Sequence, residues 1–410
     1  MKVVVVDPIS SGAALADALR ERGTEPFLLY RPVLAGAFAA DPAPGGKLLH
    51  ESFDDTLAVL RDMGVEAVVA GTETGVTLAD ELAAALGLPH NAPERAEARR
   101  SKLHKARALA AAGVPGPVTV EVGDLAAVPA ALAAFTRFPV VVKPVASAGS
   151  DGLAVCADAE QVHRAVGELL GTASAVGGVN DTVLLQEHLT GTQYVVNAVS
   201  VAGRHVLTDV WICRFDEIEG RPILRHQVSH STLDPAEWAV VEYTFACLDA
   251  LGVVNCATHS EIRLTPDGPR LIEVNYRLMG LGLAADVFVQ AHGYSHATLF
   301  ADALLGRPEF DAFAARPYQP RGDIGFVMMR AAGRGTVSAM PGLDEIRRLP
   351  TFRCFIRLPQ LGMQIKDPLM TTGTAGVAYY SGPDAAAIVA DMETTHDIVD
   401  SGRLYTMSDS

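Results

Sequence analysis

The sequence has few cysteines, no long apolar run and no surplus of positive charge, and each shortage removes a class of protein. The five cysteines, Cys156, Cys213, Cys247, Cys256 and Cys354, are scattered without a Cys-x-x-Cys pair. Neither a zinc site nor a disulfide framework is indicated, and buried reduced thiols are expected. No apolar stretch approaches the roughly 20 residues a membrane-spanning helix requires. The opening run, one lysine and four valines ended by Asp7, is too short for a secretory signal. A cytoplasmic protein without a membrane partner is expected. With 33 Lys+Arg against 48 Asp+Glu and a formal charge of −15, the chain would repel a phosphate backbone, so nucleic acid is not an expected partner. A small anionic substrate would need a local cluster of positive groups.

What is present is ample apolar material: 49% of the 410 residues are hydrophobic and 20% charged, enough for two or three domains at roughly 150 residues each. Lys2 to Val6 reads as a buried strand, and Ser10-Ser11-Gly12 opens a helix that stops at Gly23. The alternation repeats through Phe27 to Tyr30, a helix over Leu57 to Met63, a strand over Val65 to Ala70 and a helix over Leu78 to Leu86. Residues 1–92 are therefore expected to form a Rossmann-like parallel sheet with helices on its faces. Its first turn lacks Gly-x-Gly-x-x-Gly, which argues against a dinucleotide site and a nicotinamide oxidoreductase. A substrate-holding scaffold is the better reading. Gly71-Thr72-Glu73 follows a strand directly, where parallel sheets place ligands, so Glu73 either meets a substrate ammonium group or caps a helix.

Further on the pattern becomes α+β. A helix is expected from Glu94 to Ala112, then strands at Val118 to Val122, Val140 to Lys143, Leu153 to Cys156, Val183 to Glu187 and Tyr194 to Val201, with a helix over Ala159 to Leu170. The small residues of Thr172 to Asn180 suggest a flexible connection. Residues 93–185 and 186–410 are taken as two further units, the second ending in an appended α+β lobe over about 317–410. In that lobe Ile324 to Arg330 and Ala375 to Tyr380 read as strands and Leu343 to Leu349 as a helix. Met328, Met329 and Arg330 either line a substrate pocket or, for the methionines, fill the core.

Chemistry concentrates in two places. Lys143 ends the apolar strand Phe138-Pro139-Val140-Val141-Val142-Lys143, which would fix its ammonium at the mouth of a cleft. The loop after it, Ala146-Ser147-Ala148-Gly149-Ser150-Asp151-Gly152, can turn backbone N–H groups toward phosphate oxygens, with Ser147, Gly149 and Ser150 as candidate contacts. It is not Gly-x-x-x-x-Gly-Lys-[Ser/Thr], so a P-loop is excluded. The second place is a hairpin in which Cys256 to Leu264 and Arg270 to Arg277 flank the turn Thr265-Pro266-Asp267-Gly268. Each strand carries one glutamate, and pairing would bring Glu261 and Glu273 together. Two carboxylates so close call for a cation, and hard oxygen ligands suit Mg²⁺ held with nucleotide phosphates. Asn275 would add a neutral oxygen, and Arg277 would neutralise charge on a transferring phosphoryl group or a tetrahedral intermediate. His259 either faces substrate or is a satisfied buried histidine.

The order of these motifs, from about Ala92 to Gly306, resembles the ATP-grasp superfamily, which implies an ATP-grasp fold behind the Rossmann-like domain. Ser101-Lys102 is similar to the family's first ATP lysine and Lys143-Pro144 to its second. Gln186-Glu187-His188-Leu189-Thr190-Gly191-Thr192-Gln193 resembles the hinge whose backbone holds adenine, at Glu187 and Leu189, and Gln193 stands where a ribose-binding glutamate is usual. Glu261, Glu273 and Asn275 match the magnesium ligands, with Mn²⁺ as an alternative ion, and Arg277 matches the arginine beside the γ-phosphate. Tyr194-Val195-Val196-Asn197, Thr208-Asp209-Val210-Trp211 and His259-Ser260-Glu261 look most like bacterial L-amino-acid ligases. The resemblance implies an ATP-dependent carboxylate–amine ligase that forms an acyl phosphate from a small carboxylate, usually an amino acid, and transfers it to an amine. The alternatives are a carboxylase or purine-pathway ligase of the same fold, and a non-catalytic nucleotide-binding regulatory protein, which the Gln193 departure keeps open. A homodimer is the base-rate expectation.

Overall fold

In the computed structural model, described over residues 1–145, 152–173, 179–218, 221–281, 284–367 and 375–408, four sheets organise the chain. The first is parallel, in the order Lys47–Leu49, Phe27–Tyr30, Val3–Val6, Ala67–Ala70. Val3–Val6 is buried on both faces, the position that an uninterrupted run of branched residues suits. The helices Ser11–Glu21 and Val76–Ala85 cover this sheet. Ion pairs dock it on the rest of the molecule: Arg22 Nε to Asp302 Oδ1 at 2.5 Å and Arg99 Nη2 to Asp80 Oδ2 at 2.8 Å.

The helix expected from Glu94 to Ala112 is broken. A 3₁₀ turn, Pro93–Arg95, and a short helix, Ala96–Arg100, precede a second helix, Lys102–Ala111. Ser101 lies between them in an extended conformation, and its hydroxyl accepts a bond from His104 N at 3.4 Å. Serine competes well for such backbone donors at a helix start, and this competition ends one helix and caps the next.

A four-stranded antiparallel sheet follows, in the order Thr119–Val122, Val183–Glu187, Val140–Pro144, Ala154–Cys156. Helix Ala159–Leu169 packs Val162 and Val166 against it. The expected loop over Ala146 to Asp151, with Ser147, Gly149 and Ser150, lies outside the described residues, as does most of the connection between Thr172 and Asn180.

The largest sheet is eight-stranded and antiparallel, in the order Gly268–Asn275, Cys256–Thr265, Thr192–Val201, Arg204–Ile218, Arg221–Ser229, Asp323–Met328, Val377–Gly382, Phe352–Ile356. The lobe beyond residue 317 is thus hydrogen-bonded into the sheet that carries the glutamate hairpin. Sequence patterning missed Arg204–Ile218, which is buried on both faces from Val206 to Trp211 and turns polar beyond Cys213, so neither an alternating nor an apolar pattern persists along it. It also left helices Pro235–Ala250 and Ala385–Asp400 unassigned; the first begins with a capping box of Asp234 and Glu237. Among the described residues no helix is long and apolar enough to cross a membrane. The cysteines are free thiols, all buried except Cys354, which is half-buried.

Gly191 sits where the hinge enters Thr192–Val201, with φ of 122°. A Cβ there would collide with the Leu264 carbonyl oxygen. Gly191→Ala should lower unfolding free energy by roughly 2–4 kcal/mol, through backbone strain and displacement of Leu264. Urea denaturation followed by circular dichroism measures the change, and a loss under about 0.5 kcal/mol would show that the hinge relaxes freely.

Candidate functional site

The hairpin owes its arrangement to one extra residue. From the turn, Thr265 pairs with Gly268, Leu264 with Pro269, Arg263 with Arg270 and Ile262 with Leu271; the register then shifts, so that Glu261 opposes Glu273 and His259 opposes Asn275. The bulge falls at Ile272. In an unbroken ladder Glu261 would oppose Ile272, and Glu273 would point to the other face. Ile262 and Leu271 enter the core beneath helix Pro235–Ala250, which anchors the hairpin with its carboxylates on the opposite face.

Burial, and after it the neighbouring Glu273, push the Glu261 carboxyl up to about 7. Gln193 Nε2 donates to Glu261 Oε2 at 3.0 Å, and Arg263 Nη2 donates to Gln193 Oε1 at 2.9 Å. The Gln193 amide expected at a ribose therefore joins Glu261 to Arg263. Asn275 is buried and donates Nδ2 to the His259 carbonyl at 3.4 Å, which leaves its side-chain oxygen as an acceptor. Two carboxylates that repel each other and an amide oxygen make a donor set that fits a hard divalent cation.

Three lysines surround this pair. Lys143 Nζ donates to Gln186 Oε1 at 2.5 Å, and Gln186 Nε2 donates to Thr119 Oγ1 at 2.9 Å. Burial, followed by Lys102 and Lys105, lowers the Lys143 ammonium to about 7, while Glu273 opposes the shift. Lys102 at the helix start is lowered by burial too, again against Glu273. Sequence reasoning missed Lys105. It lies three residues after Lys102 on the same helix face, is 8% exposed, and is lowered by burial against Glu273, Glu73 and Glu261. The Lys-x-x-Lys spacing just after the Ser101 cap was the signal available for it. Three mutually repelling ammonium groups in one cleft suit a polyanion.

The parallel sheet also reaches this cleft. Glu73, in the 3₁₀ turn after Ala67–Ala70, places Oε2 3.4 Å from Arg277 Nε. Desolvation raises the Glu73 carboxyl and Arg277 opposes the rise. Arg277 also donates Nη1 to the Leu278 carbonyl at 2.9 Å. His259 pairs Nδ1 with Asn197 Oδ1 at 2.9 Å and sets Nε2 3.9 Å from Glu261 Oε1. Burial, Arg277 and His296 hold its imidazole well below the ordinary range. In the hinge, Glu187 donates its backbone N–H to Val118 O at 2.9 Å, its carboxylate accepts from Val118 N at 3.3 Å, and Leu189 is half-buried.

Arg330 is not brought to this cluster. Its Nη2 donates to Asp216 and Asp400 at 3.2 and 3.3 Å, in a network shared with Arg225, and Met328 and Met329 are buried core. Beside that network His226, Glu393 and His396 hold ligand atoms within 4.8 Å of one another. Burial and nearby guanidinium groups depress the two imidazoles, to about 4 for His226 and about 2 for His396. The same positive field opposes a cation there.

Residues 136–285 match the family described as ATP-grasp domain. Dapdiamide A synthase of Enterobacter agglomerans is 30% identical over 348 residues, covering 83% of this chain and 82% of that protein. Carnosine synthase 1 of Gallus gallus is 26% identical over 251 residues, which cover 58% of this chain and 26% of that longer protein. Among solved structures, the L-amino acid ligase from Bacillus licheniformis superimposes with a TM-score of 0.76 at 18% identity, covering 100% of this chain and 99% of that one.

The Glu261 shift has a stability consequence. An acid whose folded-state value, about 7, lies above its ordinary value of 4.5 costs nothing below about pH 4.5; stability is lost as pH rises from there to about 7, and the full cost persists above it. Glu261→Gln should therefore stabilise the metal-free protein at pH 8 by on the order of 2 kcal/mol and change it little at pH 4.5. Thermal melts with a chelator at the two pH values read the difference, and equal effects at both would refute the assigned cause.

Proposed function

Because the chain belongs to the ATP-grasp family, we propose that it is an ATP-dependent carboxylate–amine ligase joining two amino acids, or an amino acid and a related amine, with release of ADP and phosphate. The observation that carries this reading is the opposition of Glu261 and Glu273 beside Lys102, Lys105 and Lys143. Such a site repels itself until a cation and a polyanion enter together. The relatives' names favour amino acids over bicarbonate as the activated acid.

In this reading residues 1–92 form a substrate-holding domain, 93–185 the central unit and 186–410 the unit that carries the hairpin. Glu261, Glu273 and Asn275 would hold Mg²⁺, with Mn²⁺ as the alternative; the ion supplies neutralisation of phosphate charge. Lys102, Lys105 and Lys143 bind phosphate oxygens, joined by Ser147, Gly149 and Ser150. Gln186 orients Lys143. Glu187 and Leu189 offer backbone groups to adenine, and Gln193 divides its amide between Glu261 and the nucleotide.

A substrate carboxylate oxygen attacks the γ-phosphorus, the bond to the β-phosphate oxygen breaks, and ADP departs from the acyl phosphate. Arg277, held by Glu73, faces the charge that develops on the acyl oxygens. The amine then attacks the acyl carbon, phosphate leaves with the bonding pair, and the proton lost by the amine nitrogen is taken up by the departing phosphate. Closure over the cleft limits hydrolysis of the intermediate.

Incubation of paired amino acids with ATP and Mg²⁺ should yield phosphate and a condensed product in equal amounts, read by mass. Glu273→Ala should reduce turnover by roughly 10³-fold. Phosphate release indifferent to amino acids, or a carboxylated product from bicarbonate, would refute the reading. A second outcome concerns Lys143. With its value near 7, this lysine is largely neutral at pH 8, and bound phosphate returns it toward the usual 10.5. ATP binding should take up a proton between about pH 7 and 10, most of it lost in Lys143→Met, as calorimetry in buffers of different ionisation enthalpy would measure.

A further inference from the structure

Two residues along the strands from the opposed glutamates, a second row of polar side chains crosses the same sheet. Asn275, His259, Asn197 and Asp209 stand on four adjacent strands, each opposite the next in register. A shift at Thr208 brings Asp209 into the row. All four are buried: Asn197 is 0% and Asp209 1% exposed, with Asn275 at 7% and His259 at 9%. Burying a carboxylate and two amides this deeply is costly unless their hydrogen bonds are specified.

The direction of those bonds follows from the acceptor at the far end. Asp209 Oδ1 accepts from the Trp211 indole N–H and from Asn197 Nδ2, the latter at 2.5 Å. An oxygen that accepts the indole proton cannot face the amide's own oxygen without repulsion, so Asn197 turns its NH₂ to Asp209. Its Oδ1 is left for His259 Nδ1 at 2.9 Å, and it can only accept there. His259 therefore carries its proton on Nδ1 and leaves Nε2 bare. That bare nitrogen lies 3.9 Å from Glu261 Oε1. Two acceptors face each other across a gap that a donor would fill.

We propose that Asp209 and Asn197 are positioning residues that fix His259 as the Nδ1–H tautomer, so that Nε2 accepts a hydrogen bond from an N–H of the amine substrate and aims the nitrogen's lone pair at the acyl carbon. This inference rests on the ligase reading and extends it from the activated acid to the acceptor amine. It assigns the amine to the Asn197 and His259 end of the face, beyond the glutamates as seen from the hinge. No proton transfer to His259 is involved. The row acts by direction alone.

The test separates the two half-reactions in the full-length protein. Acyl-phosphate formation is read as ADP release and hydroxamate trapping with hydroxylamine, and the amine step as the KM for an amino-acid acceptor. The paired substitution Asn197→Leu with Asp209→Asn cuts the row without stranding a buried charge. It should keep hydroxamate formation within a few-fold and raise the amine KM roughly 10-fold or more, the scale of one lost hydrogen bond. His259→Phe should do the same, and His259→Gln, which retains an acceptor, should recover part of the loss. Imidazole ¹⁵N shifts of selectively labelled protein should give the Nδ1–H pattern in the parent chain and a mixed pattern in the paired variant. The proposal is overturned by an Nε2–H pattern in the parent chain, by an unchanged amine KM in variants whose melts show them folded, or by nitrogen coupling from His259 to bound Mn²⁺ in electron spin echo spectra. Absence of any hydroxamate with the parent chain would instead defeat the ligase reading, and this inference with it.

Discussion

Glu261 and Glu273 repel each other across a hairpin, and much of the molecule answers that repulsion. Helix Lys102–Ala111 brings up Lys102 and Lys105, the strand Val140–Pro144 carries Lys143 near its end, and the parallel sheet contributes Glu73 to hold Arg277. Each of the three lysines is itself disfavoured by burial and drawn back by Glu273. Charges of both signs are thus assembled in a desolvated cleft at a cost that neither set cancels alone. Such preorganisation is what a transferring phosphoryl group requires, because its charge is then met without reorganising the surroundings.

The same pair shows where a linear reading stops. Thr265 to Gly268 is legible as a turn, and the flanking strands as apolar runs carrying acids. Counting back from that turn in strict alternation would nevertheless put the glutamates on opposite faces. Only the unpaired Ile272 brings them together, and nothing in its residue type announces a bulge. Lys105 was hidden for a related reason: without the break at Ser101 it is one cation in a charged helix, and with the break it belongs to the first turn. By its place in the hinge motif Gln193 reads as a ribose contact, whereas its partners, Glu261 and Arg263, come from the neighbouring strand. The parallel strands were easier to find, since burial on both faces leaves a continuous apolar run.

The carboxyl-terminal strands bear on how rigidly the site is held. Asp323–Met328 pairs with Arg221–Ser229, and Val377–Gly382 extends the sheet further. Gly325 lies against Met392 and Ile388 of helix Ala385–Asp400, a close approach that a larger side chain would block. Arg330, Arg225, Asp216 and Asp400 fasten that helix to the strand ends. The lobe is a buttress continuous with the sheet that carries the glutamate hairpin, and Arg330 belongs to its fastening.

The strand Thr192–Val201 leaves the hinge and carries first Gln193 and then Asn197. At about 3.3 Å per residue, those two side chains are separated by roughly 13 Å of extended backbone. That ribbon is a ruler. On the function proposed above, one end is set by the nucleotide and the other by the acceptor amine, and hydrogen bonds to both neighbouring strands prevent it from stretching. The span between the nucleotide and the acceptor nitrogen is then a property of the main chain, and altering it calls for inserting or deleting residues in step on several strands.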